Sequence, residues 1–164
     1  MKTLYLVRHA KSSWNIDTIS DIDRPLNERG YVDAYAMAKR IKKKVLPGIL
    51  VSSPAIRAVS TALIFSRVFE KEASAIQLHP LLYDTGSKQY LQVIASIADE
   101  HSSAFIFGHN PVITETANLV GGTHLADMAT AGIVGIEFDV MTWKKVHSAL
   151  GRMIFYDFPK NGTD

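Results

Sequence analysis

Thr3-Leu4-Tyr5-Leu6-Val7 runs straight into Arg8-His9, and Ala104-Phe105-Ile106-Phe107 runs straight into Gly108-His109. Both apolar runs are continuous rather than alternating, as in strands buried on both faces of a sheet. Shorter runs bounded by breakers add strands at Ile49–Val51, Ala75–Leu78, Ile133–Phe138 and Met153–Phe155. Helical periods fall between them. Tyr31, Ala34, Tyr35, Ala38, Ile41 and Val45 recur near 3.6, with Asn27 as N-cap and Pro47-Gly48 as the stop. The two tyrosines fit a core stripe on this pattern.

Ser53-Pro54 reads as cap and first helical residue of the next helix, with Ile56, Val59, Leu63 and Phe69 as its apolar face. Ala62 and Ser66 are its small members. Tyr90, Leu91, Ile94, Ile97 and Ala98 form a third stripe. Asn110-Pro111 opens a fourth helix that stops at Gly121-Gly122. Strands alternating with helices predict an α/β fold with a mostly parallel central sheet. The last two strands lack a long helix between them, so an antiparallel part is expected there.

The 164 residues correspond to one domain, 1–164, with Pro159–Asp164 expected as a loose tail. Apolar residues make up 47% and charged residues 21%, which excludes intrinsic disorder, collagen-like and coiled-coil architectures. Without Cys there is no disulfide framework and no thiolate metal site. The net charge of +2 is too small to argue for nucleic acid. Lys39-Arg40-Ile41-Lys42-Lys43-Lys44 reads as a solvated helix C-terminus, where cations meet the negative end of the dipole. No apolar run approaches the roughly 18 residues that span a bilayer. The N-terminus shows no secretory pattern, so the cytoplasm is the expected compartment. A monomer or weak oligomer is expected, with neither membrane nor nucleic acid as partner.

Three strands end in polar residues of one kind: Arg8-His9, then Ser52-Ser53-Pro54 with Arg57 one turn on, then Gly108-His109-Asn110-Pro111. Open α/β sheets bind ligands beyond the carboxyl ends of their strands. Two guanidiniums there match phosphate oxygens in planar forks, and helix N-termini add free N–H groups. A phosphorylated substrate follows. A neutral imidazole attacks phosphorus well, so two histidines beside a phosphate permit a covalent route. His79, His101, His124 and His147 show no metal-ligand spacing. Glu115 is an ordinary acid near a helix start.

These segments resemble the histidine phosphatase superfamily, and within it the short phosphohistidine phosphatases of SixA type. Leu6-Val7-Arg8-His9-Ala10 is similar to the superfamily's Arg-His-Gly segment in an Ala variant. Asp23-Arg24-Pro25-Leu26 with Gly30, Ser52-Ser53-Pro54-Ala55-Ile56-Arg57-Ala58, and Gly108-His109-Asn110-Pro111 follow in the family's order. Ala131-Gly132 to Phe138 and Trp143 resemble its C-terminal strand and turn.

The resemblance implies a three-layer α/β/α sandwich of phosphoglycerate mutase-like type, and no metal or other cofactor. It implies His9 as phosphoryl-accepting nucleophile, Arg8 and Arg57 as phosphate clamps, His109 as donor to the phosphate, and Asn15 and Asn110 in the phosphate pocket. It also implies a phosphatase for phosphomonoesters or phosphoramidates, with a phosphohistidine-bearing protein as a candidate substrate. Asp84 stays open between proton donor and turn carboxylate. Trp14 stays open between packing over its loop and lining the pocket mouth. The rival functions are a non-catalytic phosphate-recognition module and a phosphoglycerate mutase-like transferase. Short connections leave the second little material for a lid.

Overall fold

The computed structural model describes residues 1–45 and 48–162. Each expected strand forms: β1 (Lys2–Arg8), β2 (Ile49–Ser52), β3 (Ile76–Leu78), β4 (Ser103–Gly108), β5 (Ile133–Phe138) and β6 (Arg152–Asp157). Each expected helix forms too: α1 (Glu28–Lys42), α2 (Ile56–Val68), α3 (Ser87–Ala95) and α4 (Val112–Gly121). The strands make one sheet in the order β3-β2-β4-β1-β5-β6. β1 to β4 run parallel, while β5 pairs antiparallel with β1 and β6 antiparallel with β5.

The pleat sorts side chains into two cores. Leu4, Leu6, Val51, Ala104 and Ile106 face α3 and α4, with Tyr90, Ile94, Ile113, Ala117 and the buried Trp143. Tyr5, Val7, Leu50, Phe105 and Phe107 face α1 and α2, with Ala34, Met37, Ile41, Ala62 and Phe65. This makes three layers. Each such side chain contributes roughly 1.5–3 kcal/mol on full burial, so the central strands β1 and β4 are clamped from both sides. Their carboxyl ends are therefore rigid platforms.

The buried helix faces keep part of the sequence expectation: Ala34, Ala38 and Ile41 on α1, and Ala62, Ser66 and Phe69 on α2 and its C-cap, are buried. On α1 the buried positions are Gly30, Ala34, Met37, Ala38 and Ile41, and Tyr31 and Tyr35 stand 50% and 52% exposed. Small residues let α1 lie close: a Cβ on Gly30 would sit 2.1 Å from the Lys11 carbonyl oxygen. On α2 the buried positions are Arg57, Ala58, Thr61, Ala62, Phe65 and Ser66, while Ile56 is exposed and Val59 and Leu63 are half-buried. The α2 face carries polar groups inward because it serves the strand ends.

The helix begins at Ile56 rather than Pro54, and Ser53 instead accepts from the Ala55 N–H. On the third stripe Ala98 is exposed and Val93 takes a buried place. Pro47, the expected stop after α1, lies outside the described residues. Gly122, at φ 59°, ends α4 as expected. Of the expected loose tail, Pro159 is held by Arg40, which donates to the carbonyls of Phe158 and Pro159 and pairs with Asp157 at 2.8 Å. Among the described residues no helix is long and apolar enough to cross a membrane.

Candidate active site

β1, β2 and β4 end side by side, with Arg8 opposite Gly108 and Ser52 opposite Phe107. The next residues continue the ladder: His9 N–H donates to Gly108 and Ser53 N–H to Phe107, at 3.1 and 3.0 Å. Backbone pairing thus sets His9 and Ser53 at one edge, and His109 follows Gly108 there.

The His9 ring is buried, with Nδ1 2.7 Å from the Ala10 carbonyl oxygen. A carbonyl only accepts, so Nδ1 carries the proton and Nε2 the lone pair. Burial pushes the imidazole pKa down to about 4, the charges of Arg57, Arg8 and Arg24 push the same way, and the Ala10 carbonyl only partly opposes them. The ring is neutral at physiological pH. The loop behind it is fixed by Ala10 N–H donating to Thr61 Oγ1, which itself donates to the Arg57 carbonyl.

His109 lies with its ring centroid 5.2 Å from that of His9. Burial lowers its pKa to about 3, helped by His9 and Arg57. Its Nε2 is 2.7 Å from Ser53 Oγ. Its N–H donates to the Tyr90 hydroxyl at 3.0 Å, and that hydroxyl donates to Leu82. Gly108 makes the approach possible, since a Cβ there would meet the Tyr90 oxygen at 2.3 Å.

Arg57 is buried beneath Asp21: Nη1 donates to the Asp21 carbonyl at 2.7 Å and Nη2 to its carboxylate at 3.0 Å. Burial would raise the Asp21 pKa, but hydrogen bonds from Tyr83, Arg57 and Arg24 outweigh it and hold the carboxyl at about 2. Arg24 is also buried, donates to Ser12 Oγ at 2.5 Å, and stacks 3.5 Å from the centroid of Trp14. Trp14, 74% exposed, is therefore a cover over Arg24. Sequence reasoning gave no role to Asp21, Arg24, Tyr83 or the Ser53 hydroxyl. Arg24 had a signal, an arginine inside a quoted family segment. Asp21 and Tyr83 had none, because their partners lie 36 and 62 residues away.

A cleft of about 240 Å³ is lined by Asp21, Arg57, Tyr83, Asp84, His109 and Asn110, among others. Asp84 is exposed there at φ 53°, a left-handed conformation that Asp tolerates better than most residues. Asn110 lines the wall, but its amide is spent on Asp127, the Met128 carbonyl and Thr114. Arg8 donates to the Met128 carbonyl at 2.6 Å and borders a separate cavity with Lys11, Arg29 and Lys160. Asn15 is exposed, its backbone N–H on Ser13, and is not brought to the cleft wall.

Three buried nitrogens meet no hydrogen-bond partner among the described residues: Arg8 Nε, Arg57 Nε and His109 Nδ1. They come from the three strand-end segments that the sequence singled out. No group of three or more His, Asp or Glu that could hold a metal ion occurs among the described residues.

The sequence profile of the histidine phosphatase superfamily (branch 1) matches residues 4–86. SixA from Agrobacterium tumefaciens, named provisionally as a phosphohistidine phosphatase, shares 26% identity. The match covers 96% of this chain and 98% of that one, with a TM-score of 0.80. A protein histidine phosphatase SixA complexed with tungstate shares the fold at 20% identity, 98% and 99% coverage and TM-score 0.82. An uncharacterised chloroplastic protein of Arabidopsis thaliana is 29% identical over 76% of this chain and 61% of its own length. A protein of Hydrogenobacter thermophilus, named provisionally as phosphoserine phosphatase 2, is 46% identical over 40% of this chain and 33% of its own. The chain thus spans about three fifths and one third of the curated relatives it matches. With its phosphoglycerate mutase-like α/β/α sandwich, the chain belongs to the histidine phosphatase superfamily (branch 1).

Proposed function

We propose that this protein is a phosphatase that hydrolyses phosphomonoesters or phosphoramidates, protein phosphohistidine foremost, through a phosphohistidine formed on His9. The observation that carries the reading is the set of three buried nitrogens without a protein partner, on Arg8, Arg57 and His109. Leaving such donors unmet costs roughly 1–3 kcal/mol each, and a phosphate oxygen would meet them. The SixA relative complexed with tungstate, a tetrahedral oxyanion, supports this choice of ligand class. The relatives named for phosphohistidine and phosphoserine support the substrate class.

In the proposed cycle the His9 Nε2 lone pair attacks phosphorus. The bond to the leaving nitrogen or oxygen breaks, and its electron pair goes to the leaving group, which takes a proton from Asp84 or from water. Arg57, Arg8 and His109 bear the charge on the equatorial oxygens. Water then attacks the phosphoryl group on His9, releases inorganic phosphate and returns the electron pair to Nε2. The partner in this reading is a phosphorylated protein or small molecule, presented to an open cleft, and no cofactor takes part.

The test is turnover of a phosphohistidine protein, a phosphoserine peptide and nitrophenyl phosphate by the pure protein, with rapid-quench trapping of the phosphoenzyme. Phosphohistidine should be the best substrate. Tight phosphate binding without any turnover would instead establish the recognition module, and phosphoryl transfer to a sugar-acid acceptor the mutase.

A further inference from the structure

Ser53 is fully buried, and its hydroxyl faces two groups. It accepts from the Ala55 N–H at 3.2 Å and lies 2.7 Å from His109 Nε2. A hydroxyl has one proton to give. Among the described residues the only acceptor recorded for that proton is the Nε2 lone pair. If Nε2 instead carried the proton and donated, the Ser53 hydroxyl would be left without an acceptor. The His109 Nδ1 lone pair would then be buried without a donor, pointing like charge at an anion. The first arrangement leaves one unmet group, an Nδ1–H; the second leaves two. Burial makes that difference costly.

Resting on the phosphatase reading, we propose that Ser53 is a positioning residue: its hydroxyl donates to His109 Nε2 and so fixes the tautomer in which Nδ1–H is offered to the phosphate. His9 and His109 are then set in the same Nδ1–H tautomer by opposite means. A carbonyl claims the proton in His9, which exposes the lone pair. A hydroxyl claims the lone pair in His109, which exposes the proton. Tyr90 supports the arrangement from behind by accepting the His109 backbone N–H. Ser53 touches neither phosphorus nor its oxygens in this scheme, and acts only through the ring.

The experiment has one arm that needs no activity. Long-range ¹H–¹⁵N spectra of the wild-type protein, free and with inorganic phosphate, should show His109 protonated at Nδ1 and not at Nε2. The reverse would overturn the proposal, whether or not the protein proves to be a phosphatase. The second arm is kinetic. Ser53→Ala should lower kcat/KM by roughly tenfold or more, the scale of a weakened oxyanion donor, and shift His109 toward Nε2–H. The same substitution in a His109→Gln background should cost nothing further. Equal losses in both backgrounds would show that Ser53 acts through packing and sink the idea. Ser53→Thr, which keeps the hydroxyl, should keep the Nδ1–H tautomer, and loss of it in a folded Thr variant would count against the proposal. If wild-type turnover is absent, the phosphatase reading fails while the spectra still decide the pairing.

Discussion

His9 and His109 follow the neighbouring parallel strands β1 and β4; His9 is buried, His109 is half-buried, and both are neutral. They differ in which ring nitrogen is engaged: Nδ1 on a carbonyl in His9, Nε2 on a hydroxyl in His109. That one difference divides the labour. His9 keeps a free Nε2 lone pair and suits attack, while His109 keeps Nδ1 free and suits stabilisation. Burial sets the charge of both rings, and the hydrogen-bond partner sets the task of each.

Removing one ring at a time separates the two roles most strongly. His9→Ala should abolish phosphoenzyme trapping and cut turnover by on the order of 10⁴-fold or more, since no other described residue offers a neutral lone pair there. His109→Gln should still trap phosphate, only more slowly. Trapping at the wild-type level in His9→Ala would reverse the assignments.

Arg57 serves both rings, and its fork is already turned by Asp21, which accepts from Nη1 and Nη2 and leaves Nε unmet. A lysine gathers its three donors on one nitrogen without a planar fork, so it cannot hold Asp21 from two nitrogens and offer a third to phosphate. Arg57→Lys should therefore cost roughly 2–4 kcal/mol of transition-state stabilisation, the scale of losing a preorganised oxyanion donor. Near-normal kcat/KM in this variant would place Arg57 outside the phosphate site and leave the rings without a shared clamp.

Acid should act on the two rings alike, because burial is what they share. Their folded pKa values, about 4 and about 3, lie below the roughly 6.5 of an unfolded histidine. Between these values the unfolded chain binds more protons, so stability is constant above about pH 7 and falls as pH drops from 6.5 toward 4. A loss on the order of 3 kcal/mol for each ring is expected across that window. Asp21, held at about 2, then adds its own loss below the ordinary carboxylate range. Urea midpoints at pH 7.5, 5.5 and 4.5 measure the slope. His9→Gln and His109→Gln should each remove part of it, and a slope untouched by one of them would mean that ring titrates normally.

The comparison also shows what a sequence can display. Both strand-end histidines were visible, because continuous apolar runs ending in Arg8-His9 and Gly108-His109 place them by backbone geometry. The layer order was visible in the alternation of strands and helices. The buried faces of α1 and α2 are legible only in part: Ala34, Ala38, Ile41, Ala62, Ser66 and Phe69 are buried, while Tyr31, Tyr35 and Ile56 are exposed. The pattern weighs Tyr31, Tyr35 and Ile56 by size, while the fold selects small residues that let backbones approach. Asp21, Tyr83 and the Ser53 hydroxyl act across turns and distant segments, so no local period marks them. The expected clamps Arg8 and Arg57 meet the protein alike: Arg8 places Nη1 on the Met128 carbonyl, with Asp127 3.9 Å away, and its buried Nε, like that of Arg57, has no hydrogen-bond partner among the described residues.

The smallest expected effect concerns Asp84, on the cleft wall with Asp21 and with Tyr83, whose ring centroid lies 5.6 Å from that of His109. Of these two carboxylates Asp21 is held ionised by Tyr83, Arg57 and Arg24, so it is a poor proton donor. Among the described residues the Asp84 side chain has no hydrogen-bond or ion-pair partner. Its left-handed φ of 53° fits a turn residue, and its place on the cleft wall fits a donor to the leaving group. The leaving group separates these roles. A serine alkoxide is a strong base and needs its proton as the bond breaks, whereas an imidazole or a nitrophenolate leaves with less help. If Asp84 protonates the leaving group, Asp84→Asn should lower phosphoserine turnover by roughly tenfold to a hundredfold, the low end of general-acid contributions. Phosphohistidine and nitrophenyl phosphate turnover should change much less, and His9 trapping from nitrophenyl phosphate should be intact. An exposed donor on a turn is less precisely held than one on a strand or helix, which keeps the expected effect small. Equal mutant-to-wild-type ratios on all three substrates would reduce Asp84 to a turn carboxylate and leave the proton to water.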